Sequence, residues 1–343
     1  MRNKYYLLLL LALMLPWLTE VLVGQSWVRI LDFALLYLML SLGLNVVVGY
    51  AGLLDLGYIA FFAVGAYCYA LLSSPQFGLH WPLLVVLPLG ALSAGVFGVL
   101  LGAPTLRLKG DYLAIVTLGF GEIIRIFLNN LSAPVNITNG PQGISDIDPL
   151  QVGSFVFNHD FSVMSLHFPA VINIYYLFLL AVMIAIVFSY RLEKSRIGRA
   201  WMAIREDELA ASCVGIHTKR YKLLAFGLGA TVGGLSGGLF AGFQEFVSPE
   251  SFTLMESVMI LCMVVLGGMG HIPGVIVGSL LLSVLPELLR ASVGWQRSLL
   301  GAVWVDPANL RLIMFALALV VMMLIRPEGL IPSRLRAKEL HHE

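Results

Sequence analysis

Residues 56–106 read LGYIAFFAVGAYCYALLSSPQFGLHWPLLVVLPLGALSAGVFGVLLGAPTL and contain no Asp, Glu, Lys or Arg. A water-soluble fold needs charged side chains on its surface and cannot hide so long a stretch, whereas a bilayer can. The whole 343-residue chain carries the same signature, with 59% of its residues hydrophobic and 12% charged. A soluble domain carries roughly 25% charged residues. The net charge of +1 supplies no basic field for nucleic acid. Cys68, Cys213 and Cys262 are scattered. They form no CxxC or His/Cys cluster and read as free thiols rather than metal ligands.

About 20 apolar residues, each rising ~1.5 Å, cross a hydrocarbon core of ~30 Å. Working outward from residues 56–106, that rule gives about ten spans. They are Tyr5–Val23, Ile30–Val48, Tyr58–Leu72, Pro82–Ala103, Tyr112–Leu128, Val171–Tyr190, Leu223–Phe243, Phe252–Gly267, Val275–Leu289 and Leu310–Ile325. The first run resembles a signal peptide, but no small-x-small cleavage site follows it, and it reads as an uncleaved first helix. An even count puts both termini on one side. That side then collects 16 of the 21 Lys and Arg, among them Arg107, Lys109 and the eight between Arg191 and Lys222. The positive-inside rule makes it cytoplasmic.

No Lys or Arg lies between Arg125 and Arg191, so residues 129–170 read as an extracytoplasmic loop and 191–222 as a cytoplasmic one. In the outer loop Thr138-Asn139-Gly140-Pro141-Gln142-Gly143 carries turn chemistry. Ser154–Met164 reads as two short strands around Asn158-His159-Asp160. The fold class is therefore an all-α polytopic membrane protein, a single transmembrane domain over residues 1–343. Five spans precede the outer loop and five follow it. An odd number per half inverts one half against the other, so parity alone predicts an inverted five-plus-five repeat.

Glycine spacing adds detail. Gly90, Ala94, Gly98 and Gly102 form a four-residue ladder, as do Gly229, Gly233 and Gly237, beside a stripe of Gly234, Gly238 and Gly242. Such stripes let helix backbones approach closely, first of all within the chain. Two glycine groups instead break helices. Gly49–Gly57 holds one charge, Asp55, and is too apolar for a surface loop. It reads as a re-entrant or broken helix beside a pathway, with a plain tight turn as the alternative. For Gly267–Gly274 a turn and a broken helix stand level. Ionisable residues in spans are functional candidates by default; here they are Asp32, Asp55, Glu122, Arg125, Glu256 and Glu287. Glu122 and Arg125, three apart, can simply pair. Asp32 and Glu287 lie near span ends, where water can reach them, and Asp55 suits the cap of a half-helix. No proton relay stands out. HExxH, GxSxG and P-loop patterns are missing, so the chain has no ATPase motif of its own.

The cytoplasmic loop is the most distinctive segment. Ile197–Ile216 reads as one short helix that Gly215 ends, too charged to insert and therefore lying on the surface or on a partner. Within it Ala210-Ala211, three residues and Gly215 resemble the coupling segment of ATP-binding-cassette importer permeases, with Glu208 displaced by the intervening Leu209. That departure is the form seen in the LivM-type permeases of branched-chain amino acid importers. Residues 45–57, Arg107–Ile123, Thr138–Ile144 and Leu266–Gly274 are similar to the same family, so the resemblance spans about Leu31 to Pro332. It implies an inner-membrane importer subunit, multi-pass with both termini cytoplasmic, acting with a second, LivH-type permease. Two ATPase subunits would use ATP and Mg, a periplasmic binding protein would deliver leucine, isoleucine or valine, and this chain would bind no cofactor. The resemblance assigns ATPase coupling to Arg205, Glu206, Asp207, Glu208, Ala210, Ala211 and Gly215. Gly49, Gly52, Asp55, Thr117 and Glu122 are the pathway candidates, and Thr138–Ile144 either meets the binding protein or is a structural turn. A urea or short-amide permease of the same broad family, or a proton-coupled secondary transporter, is the alternative.

Overall fold

The computed structural model describes residues 2–300 apart from 107, 109, 134, 154, 164 and 165, and beyond them 313, 314, 316, 317, 320, 321, 324 and 329–331. Its helices are α1 (Arg2–Leu22), α2 (Gln25–Leu44), α3 (Ile59–Leu72), α4 (Leu83–Thr105), α5 (Asp111–Asn130) and α6 (Ala170–Glu193). There follow α7 (Arg196–Glu206), α8 (Glu208–Cys213), α9 (Thr218–Gln244), α10 (Leu254–Gly267) and α11 (Ile272–Leu300). A helix lies under each apolar stretch from Tyr5–Val23 to Val275–Leu289; Leu310–Ile325 lies largely outside the described residues, as do Arg107 and Lys109. Among the described residues, six helical stretches are long and apolar enough to cross a membrane: Gln25–Tyr50, Leu83–Thr105, Ala170–Glu193, Thr218–Gln244, Pro249–Gly267 and Ile272–Arg290. Leu10–Leu22 and Ile59–Leu72 are shorter apolar helices, and α5, with Asp111, Glu122 and Arg125, is not among the six.

Helix α9 is the packing centre, against α2, α3 and α4. Small residues make this possible. A Cβ on Gly65 of α3 would collide with the backbone of Gly234 of α9, and one on Gly98 of α4 would meet the Ala230 Cβ at 2.5 Å. The Tyr58 hydroxyl donates to the Gly229 carbonyl at 2.9 Å. The glycine ladders therefore serve helix packing inside the chain. The opposite faces are apolar and uncovered: Leu84, Leu92 and Leu100 on α4, Leu180 and Ile184 on α6. Such faces are matched to lipid, which costs them nothing, and would be a liability in water.

Helix α2 does not stop at Leu44 but widens into a π-helix over Asn45–Tyr50. The chain then runs irregularly to Tyr58, with Asp55 and Tyr58 buried. The Gly49–Gly57 segment is thus a broken helix end, largely buried in protein, with Gly52 and Leu54 exposed. Gly267–Gly274 is a turn: α10 ends at Gly267, Gly268 and Gly270 take φ of 115° and 83°, and α11 starts at Ile272.

Two corrections follow. The expected single helix Ile197–Ile216 is two helices, because Asp207 is extended (φ −152°, ψ 111°). Asp32 is not hydrated but fully buried, with neither carboxylate oxygen hydrogen-bonded among the described residues. Glu287, as expected, is reached by water, its side chain 29% exposed, and it also pairs with Arg290 at 3.3 Å. Between α5 and α6 the two expected short strands, β4 (Phe155–Val156) and β5 (Phe161–Val163), flank Asn158-His159-Asp160, each in its own hairpin. β4 pairs back to β3 (Gln151–Val152) and β5 forward to β6 (Leu166–Phe168). A further hairpin, β1 (Ser73–Ser74) with β2 (Leu79–His80), joins α3 to α4. The Thr138–Ile144 turn is pinned inward, with Thr138 Oγ1 donating to the Leu128 carbonyl at 2.6 Å and Ile144 bridging Val247.

Candidate functional site

The charged segment between α6 and α9 folds for local reasons. Ser195 caps α7, its hydroxyl accepting from Gly198 N at 3.1 Å, an N-cap role that Ser fills well. Trp201 and Ile204, three apart, face inward, and the Trp201 indole N–H donates to the Tyr221 carbonyl at 2.7 Å. The break at Asp207 is itself a cap. Its Oδ1 accepts from the backbone N–H of Leu209 and Ala210 at 2.7 and 3.0 Å, so a new helix starts there. Gly215, at φ +88°, ends the segment, and a Cβ there would touch nothing. It supplies a left-handed stop that other residues adopt at a cost.

The seven coupling candidates divide by direction. Arg205 turns inward: its Nη1 donates to the Gly49 carbonyl at 2.6 Å, and its aliphatic stem lies over Gly52. Asp207 is occupied in capping, Ala211 is buried, and Glu208 forms a 2.7 Å ion pair with Lys222, which is buried on α9. Glu206, Ala210 and Gly215 are exposed. Beside them Leu209 and Val214, 76% and 77% exposed, make an apolar projection on a segment held rigidly by Trp201 and the Glu208–Lys222 pair.

The pathway candidates do not form one site. Gly49 and Gly52 belong to the Arg205 junction, where Gly270 N also donates to Asn45 Oδ1 at 2.8 Å. That junction ties the α7–α8 segment, the broken end of α2 and the α10–α11 turn together. Asp55 and Thr117 line a space of about 10 Å³ with Gly57, Phe61 and Phe226, room for about one water. Asp55 Oδ1 accepts from Gly57 N at 2.9 Å, and Thr117 Oγ1 accepts from Leu56 N at 3.0 Å, so both stabilise the broken segment. Glu122 pairs with Arg125 at 2.6 Å, and Arg125 also reaches Glu250 at 2.8 Å. That network ties α5 to the short 3-10 turn Pro249–Ser251 before α10.

A larger cavity, of about 100 Å³, lies elsewhere. Phe33, Leu36 and Leu40 of α2, Ile59 and Phe62 of α3 and Phe240 of α9 form its apolar wall. Its polar wall is Tyr37, Ser251 and Glu256, with the Tyr37 hydroxyl donating to Glu256 Oε2 at 2.7 Å.

Residues 26–324 match the family model described as branched-chain amino acid transport system / permease component. The chain belongs to this family of permeases. The permease is 42% identical to the high-affinity branched-chain amino acid transport system permease protein LivM of Escherichia coli (strain K12), over 96% of this chain and 75% of that one. It is 25% identical to the probable branched-chain amino acid transport permease protein LivM of Methanocaldococcus jannaschii, over 87% of this chain and 91% of that one. It is also 28% identical to the permease protein LivH of the same E. coli system, over 74% of this chain and 82% of that one. No solved structure matches the chain significantly.

Sequence reasoning missed two parts of the permease's site. Leu209 and Val214 were legible as apolar residues stranded in a charged loop, and Leu209 is the residue that displaces Glu208 from the importer pattern. Glu256 stood among the intramembrane ionisable residues, but nothing in the sequence attached it to Tyr37, 219 positions away.

Proposed function

We propose that the permease is one of two membrane-spanning subunits of an ATP-driven importer for branched-chain amino acids. Residues 1–343 act as one transmembrane domain in a bacterial cytoplasmic membrane, with ten spans in an inverted five-plus-five arrangement and both termini inside. Its second permease is of the LivH type, a reading supported by the likeness of this chain to both LivM and LivH of one bacterium. Two ATPase subunits, which use ATP and Mg, dock on the α7–α8 segment, and a periplasmic protein delivers the cargo from outside. The observation that carries this reading is the apolar projection of Leu209 and Val214 on a rigidly braced cytoplasmic loop. A large apolar residue held in water asks for a partner surface. Closure of the ATPase pair would move α8, and the junction of Arg205 with Gly49 would pass that movement to the broken end of α2.

The test is assembly of the permease with its candidate partners in liposomes, reading ATPase rate with binding protein and leucine against urea and no ligand. Stimulation by leucine is expected. Stimulation by urea alone would keep the architecture and change the cargo. Failure of any ATPase to associate would overturn the importer reading and favour a proton-coupled transporter.

A further inference from the structure

We propose that the cavity bounded by α2, α3, α9 and α10 is the binding site for the cargo in transit, with Glu256 receiving the ammonium group and the apolar wall receiving a branched side chain. The inference rests on the importer reading and adds to it a site.

The chemistry of the walls selects the class of ligand. Six lining residues are aliphatic or aromatic, and the polar ones are a carboxylate, a phenol and a hydroxyl, the first two hydrogen-bonded to each other. A carboxylate among helices of this hydrophobicity is stabilised by a cation. Among the described residues no Lys, Arg or His forms an ion pair with Glu256, and its hydrogen-bond donor is the neutral phenol of Tyr37. An incoming ammonium group supplies the missing positive charge. Neutral urea has neither the charge to match Glu256 nor an apolar part to match the six-residue wall.

Size gives the second argument. An apolar cavity of roughly 150 Å³ takes up benzene, so one of about 100 Å³ suits a branched chain of three or four carbons and excludes an aromatic one. The small space beside Asp55, at about 10 Å³, holds no more than a water. The Tyr37–Glu256 bond also ties α2 to α10. Cargo that takes over Glu256 would release that tie, so the same pair can report occupancy to two helices that meet at the cytoplasmic junction.

The experiment is uptake of radiolabelled leucine and valine by the complete complex in proteoliposomes, with one binding protein used throughout. Glu256→Gln keeps an acceptor for the Tyr37 hydroxyl and removes the charge. It should lower leucine uptake at least about tenfold, while the ATPase subunits still co-purify. Leu40→Phe shrinks the cavity, and it should shift the ratio of leucine to valine uptake towards valine by about tenfold, the scale of one methylene in an apolar pocket. Leu40→Ala enlarges the cavity and should raise phenylalanine uptake relative to leucine. A merely structural tie predicts no change in either ratio. Leucine uptake unchanged in Glu256→Gln, or both ratios unchanged, overturns the site. Where Glu256→Gln fails to assemble, the two Leu40 ratios decide. An unmodified complex that imports no leucine is a different result and removes the importer reading itself.

Discussion

The Arg205 guanidinium donates a 2.6 Å hydrogen bond to the carbonyl of Gly49, 156 residues earlier in the chain. The acceptor lies in the π-helix that ends α2, where carbonyls lose their regular helical partners. The donor sits on the last turn of α7, so a surface helix caps the broken end of a buried one. A charge-assisted bond of this kind contributes about 1.5–3 kcal/mol.

Arg205→Ala should therefore uncouple rather than dismantle the assembly. ATPase subunits should still co-purify, since Leu209 and Val214 are untouched, while cargo uptake per ATP hydrolysed falls about tenfold, the kinetic equivalent of ~1.4 kcal/mol. Arg205→Lys should recover part of the loss, because an ammonium keeps the charge but not the planar donor geometry. Normal coupling in Arg205→Ala would show that movement reaches α2 by another route.

Glu208 and Lys222 make a different prediction. Lys222 is 5% exposed, and Glu208 pairs with it at 2.7 Å. Removing the acid alone strands a buried ammonium, whereas removing both charges does not. Glu208→Ala should lower the thermal midpoint of the detergent-solubilised chain, with a cost of about 1–3 kcal/mol, moderated because Glu208 itself is partly in water. Glu208→Gln combined with Lys222→Met should recover most of it. A double variant as unstable as the sum of the singles would mean that the pair contributes nothing as a pair.

These two pairs mark the limit of what the sequence makes legible. The helical stretches follow from apolar runs, and the end of α8 follows from Gly215, because both signals are local. The Asp207 break was available by the same logic, since Asp is a strong N-cap residue. It was masked by the assumption of one continuous helix. The grouping of pathway candidates could not be read, because it depends on tertiary packing. Glu122 faces Arg125 by a three-residue spacing that sequence shows, but the attachment of Arg125 to Glu250 spans 125 positions. Asp32 was misread because distance along a helix from its end says nothing about which neighbours cover it.

The packing of α3 on α9 gives a third prediction. At Gly65 a Cβ would run into the Gly234 backbone, which cannot move aside as a flexible side chain would. Gly65→Leu should thus separate the two helices, at a cost at or above the ~1–3 kcal/mol usual for overpacking. The expected outcome is loss of monodisperse protein on size-exclusion chromatography in detergent. Gly119→Leu is the control, because a Cβ there would meet nothing. Equal loss in both would assign the effect to side-chain bulk in general rather than to this contact.

The apolar projection on the α7–α8 segment gives the fourth. Leu209 and Val214 are three-quarters exposed, so replacing them removes almost no packing within the chain. Surface changes of this kind usually alter stability by no more than ~0.5 kcal/mol. A partner that buries them loses far more, since an aspartate placed against an apolar groove must be desolvated without a counter-charge. Leu209→Asp and Val214→Asp should leave the thermal midpoint of the isolated chain unchanged and weaken co-purification of the ATPase subunits by about tenfold or more, the mark of an interface hot spot. Glu206→Ala, on the same exposed segment, changes a side chain of the polar surroundings and should have a smaller effect. If the aspartate variants bind ATPase as well as the unmodified chain does, the docking surface lies elsewhere on the cytoplasmic face, and the projection of Leu209 and Val214 must be explained by contact with lipid or with the second permease.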